Sequence, residues 1–497
     1  MSKLNKKLIF YILGLLLMFN GFAMLISAFV SYLTNDGVLN EMTLVSLLVI
    51  FLGWILMAIS KNNDRKINKR DAYFIVVLGW LTMVFSGMLP YIVTESISSF
   101  SNVFFETMSG YTTTGSTVIN DIDALPKSII FWRSMTHWLG GMGIIVLAIA
   151  ILPLLGIGGM QLFSAEAPGL TGDKIHPRIS DTAKRLWLIY VGLTLLETIL
   201  LKFAGMSLFD ALNNSMSNIA SRGFSTKNES IGFWNDSPLI QYIIIFFMFL
   251  AGTNFVLIYF GLTGKFKKIF QDTEFKWYVS FISVFVIIST IILFFNVNLS
   301  STEVYHPEVL GKFESSFRHS LFQVVALVTT TGFVTGDFVS WTPFLTMLFF
   351  GIMFMGGSSG STSGGVKVLR HLILIKNGFL EFKRSLHPNA IFPLRHNNHV
   401  VEKPIIIHVL AFFILYLILF IIGAGVLSAL GLDFASAIGG AASSLGNVGP
   451  ALGSLGPTTN FDSLPEIGKY WCSFLMLVGR LELFTVLIFF TPYFWKN

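Results

Sequence analysis

Four times along its apolar stretches the chain inserts a short run of Gly, Thr, Ser and Asn where a membrane helix would ordinarily continue. The runs are GYTTTGSTV at 110–118, ASRGFST at 220–226, VTTTGFVTG at 328–336 and LGNVGPALG at 445–453. Non-helical backbone at bilayer depth has no water to bond. It persists only where protein buries it or where it lines a water-filled cavity. Four such breaks in one chain constrain the fold more than any other feature of the sequence.

The solvent of this chain is lipid. Of 497 residues 54% are hydrophobic, 50 are Phe and only 12% are charged, more apolar surface than one water-soluble core can bury. Segments such as 8–30, 144–159 and 405–430 match or approach the roughly 20 residues that span a bilayer. The first is too long for a signal-peptide core and runs into SYLTNDG instead of a small-residue cleavage site, so a retained span is expected. Cys472 is the only cysteine, which excludes an intrachain disulfide framework and a cysteine-rich metal site.

The net charge of +6 raises the question of nucleic acid, but the cations sit where a topology signal would put them. From a cytoplasmic N-terminus, 24 of the 33 Lys and Arg fall on one face: Lys3 to Lys7, the KNNDRKINKR run at 61–70, Lys174 to Arg185, Lys265 to Lys276, Lys367 to Lys403, and Lys496. Asp121, Asp123, Glu303 and Glu308 collect on the other face. This is the positive-inside pattern of a multi-pass protein of the plasma membrane, the inner membrane in a Gram-negative cell, with both termini cytoplasmic and no nucleic-acid partner.

The chain also repeats. A hairpin and basic loop (1–70) precede four units at 71–182, 183–276, 277–400 and 401–497. Each unit is expected to comprise a full span, a stretch of about 10 to 14 residues too short to cross, a break, and a second full span. Because the short stretch turns back, all four breaks open on the extracytoplasmic side. The fold class expected is all-α and polytopic, with an N-terminal two-helix hairpin and four pseudo-repeats of helix, re-entrant half-helix with loop, and helix, around a central ion pathway.

Arranged about one axis, the breaks would aim carbonyl oxygens inward, and a ring of carbonyls can replace the hydration shell of a monovalent cation. The half-helices would add the partial negative charge of their C-terminal ends. The candidate ligands are the carbonyls of Thr113, Thr114, Ser221, Arg222, Thr330, Thr331, Asn447 and Val448. Gly115, Gly223, Gly332 and Gly449 allow positive φ and close backbone approach. The absence of a carboxylate ring favours K⁺ or Na⁺ over a divalent cation. Any single break reads better as a small-residue helix contact; four in matched context do not.

These residues resemble the TrkH/KtrB/HKT superfamily of K⁺ transporters, most closely its TrkH branch. The likeness runs over essentially the whole chain: the TTTG loops, 140–162, RGFST at 222–226, GGSSGSTSGGVKVLR at 356–370, His387-Pro388, and GRLELFT at 479–485. It implies a K⁺-translocating subunit, with K⁺ as the transported ion and no covalent or nucleotide cofactor on this chain. It also implies a homodimer gated by a cytosolic nucleotide-binding subunit of the TrkA type. Arg222 departs from the small residue common in such proteins; its carbonyl remains a ligand if the side chain points away.

Further sites carry competing readings. The segment 355–367 has Gly, Ser or Thr at ten of thirteen positions and cannot be a good helix. Gly356, Gly357, Gly360, Gly364, Gly365 and Lys367 belong to a constriction below the breaks, and the resemblance implies a gating loop there. A phosphate cradle competes, but the Gly-Lys-Ser/Thr ending it requires is missing. Arg480 lies ten residues into the last span, where Arg costs about 2.5–3.5 kcal/mol on insertion scales. It is expected to face the pore below the breaks, with a cap on loop carbonyls as the alternative. Lys367 and Arg370 mark the cytoplasmic end of the gate helix or a partner contact, and the loop 376–403 suits the anionic leaflet and partner docking. Trp132, Trp138 and Trp471 fit interfacial belts. His137 and His319 lack helical partners and read as interhelical hydrogen bonds. A Na⁺- or H⁺-coupled symporter, or a Na⁺-permeable relative, is the alternative within transport. A membrane-embedded enzyme would need convergent catalytic groups, which the sequence does not supply.

Overall fold

The structure is a computed structural model that describes residues 4–61, 68–155, 179–299, 302, 306–397 and 399–495. Lys3, the basic residues at 65–66, Lys174, Arg178, Glu303 and Lys496, together with 156–162 of the glycine-rich run, lie outside them.

The hairpin forms from Lys6–Thr34 and Leu39–Ile59. Asn35 closes the first helix in the left-handed region at φ 50°. Two glycines set the helix spacing: a Cβ on either Gly14 or Gly53 would come within 2.7 Å of the other's carbonyl oxygen, the close approach that small residues permit between apolar helices. Asn20 ties the hairpin to the rest of the chain. Its amide donates to Ser86 Oγ at 2.7 Å and its oxygen accepts from Tyr111 Oη at 2.6 Å.

Four units follow. The first has Lys69–Gly87 continuing into Leu89–Val93, a half-helix Phe100–Tyr111, and Lys127–Leu155. The second has Ile179–Phe203, the half-helix Leu208–Ile219, then Pro238–Ala251 and Phe255–Leu262. The third has Thr273–Asn296, the half-helix Lys312–Val328, then Pro343–Ile352 and Val368–Leu386. The fourth has Lys403–Ala429, the half-helix Phe434–Gly446, then Glu466–Arg480 and Phe484–Leu487. Half-helices of 12, 12, 17 and 13 residues reach about 18 to 26 Å, short of the roughly 30 Å hydrocarbon core.

Polarity runs inside out. The spans turn Phe22, Phe51, Leu196, Ile291 and Ile421 outward, while Asn213, Asn214, Asn218, Ser215 and Ser217 of the second half-helix are wholly buried. Lipid takes the apolar surface and the half-helices form a polar interior.

Two expected spans are not continuous. The helices at 238–251 and 255–262 meet at 109°, and those at 466–480 and 484–490 meet at 111°. At the first bend, Asn254 Oδ1 caps the new helix by accepting from Val256 N at 2.8 Å, and the Gly252 carbonyl accepts from Ser358 N at 2.8 Å. At the second, Glu482 and Leu483 are left-handed, at φ 56° and 54°. Six uninterrupted helices among the described residues are long and apolar enough to cross a bilayer. Nor does Trp132 sit in an interfacial belt: it is fully buried and donates Nε1–H to the Gly87 carbonyl at 3.1 Å.

Candidate functional site

Each half-helix ends in the same way. One residue enters the left-handed region: Thr113 (φ 54°), Ser221 (57°), Thr330 (54°) and Asn447 (51°). Its N–H donates three residues back, to Gly110, Asn218, Leu327 and Ser444 in turn. The next N–H donates five residues back, from Thr114 to Ser109, Arg222 to Ser217, Thr331 to Ala326 and Val448 to Ser443, all at 2.8–2.9 Å. This is the Schellman closure of a helix, with non-glycine residues in a conformation that costs an L-residue about 1–2 kcal/mol. It satisfies terminal carbonyls internally and reverses the chain within two residues.

The reversals meet. A Cβ on Gly115 would come 3.0 Å from Gly223 N, and one on Gly223 would come 2.6 Å from Gly332 O. A Cβ on Gly332 would run into Val448 O, and one on Gly449 would lie 3.1 Å from Thr114 O. Each unit thus leans on the next and the fourth returns to the first, so the loops close a ring. Gly115, Gly332 and Gly449 are also at positive φ, whereas Gly223 is not; there glycine serves close approach alone. A cavity of about 80 Å³ is lined by all four glycines, ample for water, which needs about 10–15 Å³.

Hydroxyls hold the ring's shape. Thr112 and Thr114 bond each other at 2.9 Å, as Thr329 and Thr331 do at 2.8 Å. Ser109 Oγ and Ser443 Oγ accept from the N–H groups of Gly115 and Gly449, each at 3.1 Å. Asn447 Nδ2 donates to Thr114 Oγ1 and to the Met476 carbonyl, both at 2.9 Å. Behind the first loop, the buried Glu106 carboxylate pairs with Arg133 at 2.9 Å and accepts from Val118 N at 3.0 Å. Arg133 lies over the Phe224 ring at 4.1 Å and joins the first unit to the second.

The Arg222 side chain does not point away. It is fully buried, and Nη1 donates to Thr330 O at 2.7 Å, Thr330 Oγ1 at 2.8 Å and Asn447 O at 3.0 Å. Two of the carbonyls singled out as ion ligands therefore face a guanidinium. The Gly/Ser segment packs against the same place. Thr362 Oγ1 bonds Ser221 Oγ at 2.8 Å and the Ile219 carbonyl at 2.9 Å, and Gly364 N donates to Thr330 Oγ1 at 2.6 Å. Gly356, Gly357, Ser358 and Ser359 also commit their N–H groups, to Val366 O, Ser363 Oγ, Gly252 O and Glu274 Oε1 in turn.

Arg480 donates to the carbonyls of Thr362 at 3.2 Å and Gly140 at 3.0 Å, so it bridges this segment to the first unit. Glu482 pairs with Arg370, which also stacks over Phe412 at 3.9 Å. Lys367 Nζ folds back to the Ser363 carbonyl at 2.5 Å. Both Lys367 and Arg370 thus engage their own chain. His319 Nδ1 lies 2.9 Å from Thr335 Oγ1, and His137 stacks on Phe224 at 3.9 Å. Among the described residues no three His, Cys, Asp or Glu gather as a metal site.

Sequence reasoning missed the Glu106–Arg133 pair, although two ionisable residues 27 apart in flanking apolar segments were a signal. It also missed the second-span glycines. A Cβ on Gly140 would meet Tyr111 O, one on Gly252 would lie 2.5 Å from Thr329 Cγ2, and one on Gly479 would meet Leu445 O. These glycines let the second spans press against the ends of the half-helices.

The TrkH family, described as cation transport protein, matches residues 39–496. The Trk system potassium uptake protein TrkH of Escherichia coli K12 is 40% identical over 489 residues, 98% of each chain. That of Vibrio parahaemolyticus is 38% identical over 491 residues, again 98% of each. The crystal structure of the potassium transporter TrkH from Vibrio parahaemolyticus superposes with a TM-score of 0.87 at 35% identity, covering 99% of this chain and 100% of that one. With this extent of match and this shared fold, the chain belongs to the TrkH family of cation transport proteins, a family of transporters and not of enzymes.

Proposed function

We propose that the chain takes up K⁺ across the plasma membrane through the ring of four loops. The carbonyls of Thr113, Thr114, Ser221, Arg222, Thr330, Thr331, Asn447 and Val448 form its ligand shell. The observation that carries this is the cyclic closure of the four reversals, each in the same left-handed conformation. Four half-helices ending there add partial negative charge, and the hydroxyls are engaged in holding backbone, which leaves carbonyls as the ligand class. The relatives' printed names support K⁺ as the ion.

The segment 356–367 is the gate. It is bonded beneath the ring at Ser221 and Thr330, and Arg480 lies in the pathway with its charge directed at permeating cations. A cytosolic nucleotide-binding subunit controls the gate from the side of Val368–Leu386, whose Phe379, Phe382 and Leu386 are exposed, and the protein works as a homodimer.

The test is ⁸⁶Rb⁺ uptake by purified protein in proteoliposomes with competing Na⁺, comparing wild type with Gly332→Ser. Gly332 is at φ +72° with the Val448 carbonyl where a Cβ would go, so the variant should lose uptake or selectivity. Unchanged flux and selectivity would count decisively against the ring as the filter.

A further inference from the structure

The four loops close with the same helix-end hydrogen bonds, but at the position after the left-handed residue only one of them carries a charge. Where the other units carry Thr114, Thr331 and Val448, the second carries Arg222. Its guanidinium is a permanent cation in a planar fork of donors, and every hydrogen-bond partner it has here is a neutral oxygen: Thr330 O, Thr330 Oγ1, Asn447 O and, from Nη2, Thr362 O at 3.5 Å. Those carbonyls come from the third and fourth units, so one nitrogen bridges the ring as a bound ion would. The Thr362 carbonyl also accepts from Arg480. The same residue's hydroxyl bonds Ser221, the neighbour of Arg222. Guanidinium, ring and Gly/Ser segment therefore share one hydrogen-bond network.

We propose that Arg222 is a tethered cation that fills the innermost ion position of the ring and is latched to the Gly/Ser segment through Thr362. Two unit charges about 4 Å apart at an effective dielectric near 20 repel enough to lower joint occupancy about a thousandfold. K⁺ therefore does not share that position with the guanidinium. Permeation requires Arg222 to swing out, and withdrawal of the segment, which removes the Thr362 carbonyl, releases one of its holds. The closed state is thus closed twice, by the segment and by a charge that belongs to the protein. This rests on the cation-pathway reading above.

Full-length protein in proteoliposomes tests it with ⁸⁶Rb⁺ uptake by wild type, Arg222→Gly, Arg222→Gln and Arg222→Lys. The two neutral variants should raise basal uptake at least about tenfold over wild type, and clearly above Arg222→Lys, which keeps a charge that still repels K⁺. Neutral variants at or below the wild-type rate, or indistinguishable from Arg222→Lys, overturn the proposal. Should the neutral variants fail to fold, wild type decides by anomalous scattering in Rb⁺-soaked crystals. A Rb⁺ peak coordinated by Thr330 O and Asn447 O beside an unmoved guanidinium overturns it, and no peak there supports it. The two readings fail differently. Absence of flux in every protein, with a Rb⁺ peak at that position only in Arg222→Gln, removes transport and keeps the tethered cation. Flux indifferent to charge at 222 does the reverse.

Discussion

The Glu106–Arg133 pair makes a quantitative prediction about what keeps the first loop in place. Both side chains are buried, at 0% and 1% exposure, and the contact is 2.9 Å. Glu106 also accepts from Val118 N and Thr117 Oγ1, each at 3.0 Å. Glu106→Gln leaves the buried Arg133 charge without its counter-ion, a change that costs about 3–5 kcal/mol when one partner of a buried pair is removed. Arg133→Met strands the carboxylate and should cost a similar amount. Replacing both, Glu106→Leu with Arg133→Met, removes both charges and keeps the volume. What is left is the loss of an acceptor for Val118 N–H and the Thr117 hydroxyl, about 1–3 kcal/mol. The double variant is therefore expected to be more stable than either single one, with a coupling of at least about 2 kcal/mol. Unfolding in mixed micelles titrated with SDS, followed by tryptophan fluorescence, measures all four proteins. A Glu106→Gln variant within about 1 kcal/mol of wild type, or a double variant whose loss equals the sum of the singles, would refute the reasoning.

Two further predictions concern the loops and the glycines. Asp462 joins the fourth unit to the first, accepting from Asn120 Nδ2 at 2.9 Å and Asn102 Nδ2 at 3.0 Å. The Asn120 hydrogen bond, followed by that from Asn102 and the charge of Lys469, holds its carboxyl below the usual range. A lowered carboxylate contributes stability that is present above its unfolded pKa near 3.9 and lost as pH falls through the lower folded value. Thermal stability should therefore decline on acidification below about pH 4, and Asp462→Asn should flatten that part of the profile. Gly479→Ala would drive a Cβ into the Leu445 carbonyl and should abolish assembly, as judged by size-exclusion chromatography. Gly425→Ala, with nothing within 4 Å, should be neutral or stabilising by up to about 1 kcal/mol.

The architecture was legible because bilayer physics leaves few choices: lengths of apolar runs and the positions of four breaks are one-dimensional quantities. The bends after Ala251 and Arg480 were not, because hydropathy stays high on both sides of each turn and an angle of 109° leaves no trace in composition. At the ring, sequence pointed to the glycines for positive φ, while the second residue of each TTTG-like run, such as Thr330, takes it as well. That assignment depends on which helix end closes, and β-branched residues give no hint of it. Arg222 was visible as a departure, but its direction was not; a side chain on a reversed loop can face the axis or leave it, and contacts to Thr330 and Asn447, 108 and 225 residues away, decide which.

A ring built from one covalently continuous polypeptide can afford something that a homotetramer cannot. In an assembly of four identical subunits, any mutation in the loop appears at every corner, and four guanidiniums facing one axis would repel pairwise by about 4 kcal/mol for each contact near 4 Å at a dielectric of 20. A single continuous chain lifts that symmetry. Because the second corner is encoded separately from the other three, a single positive charge can be placed at the ring without being multiplied, and the remaining corners stay free to keep the oxygens that receive it.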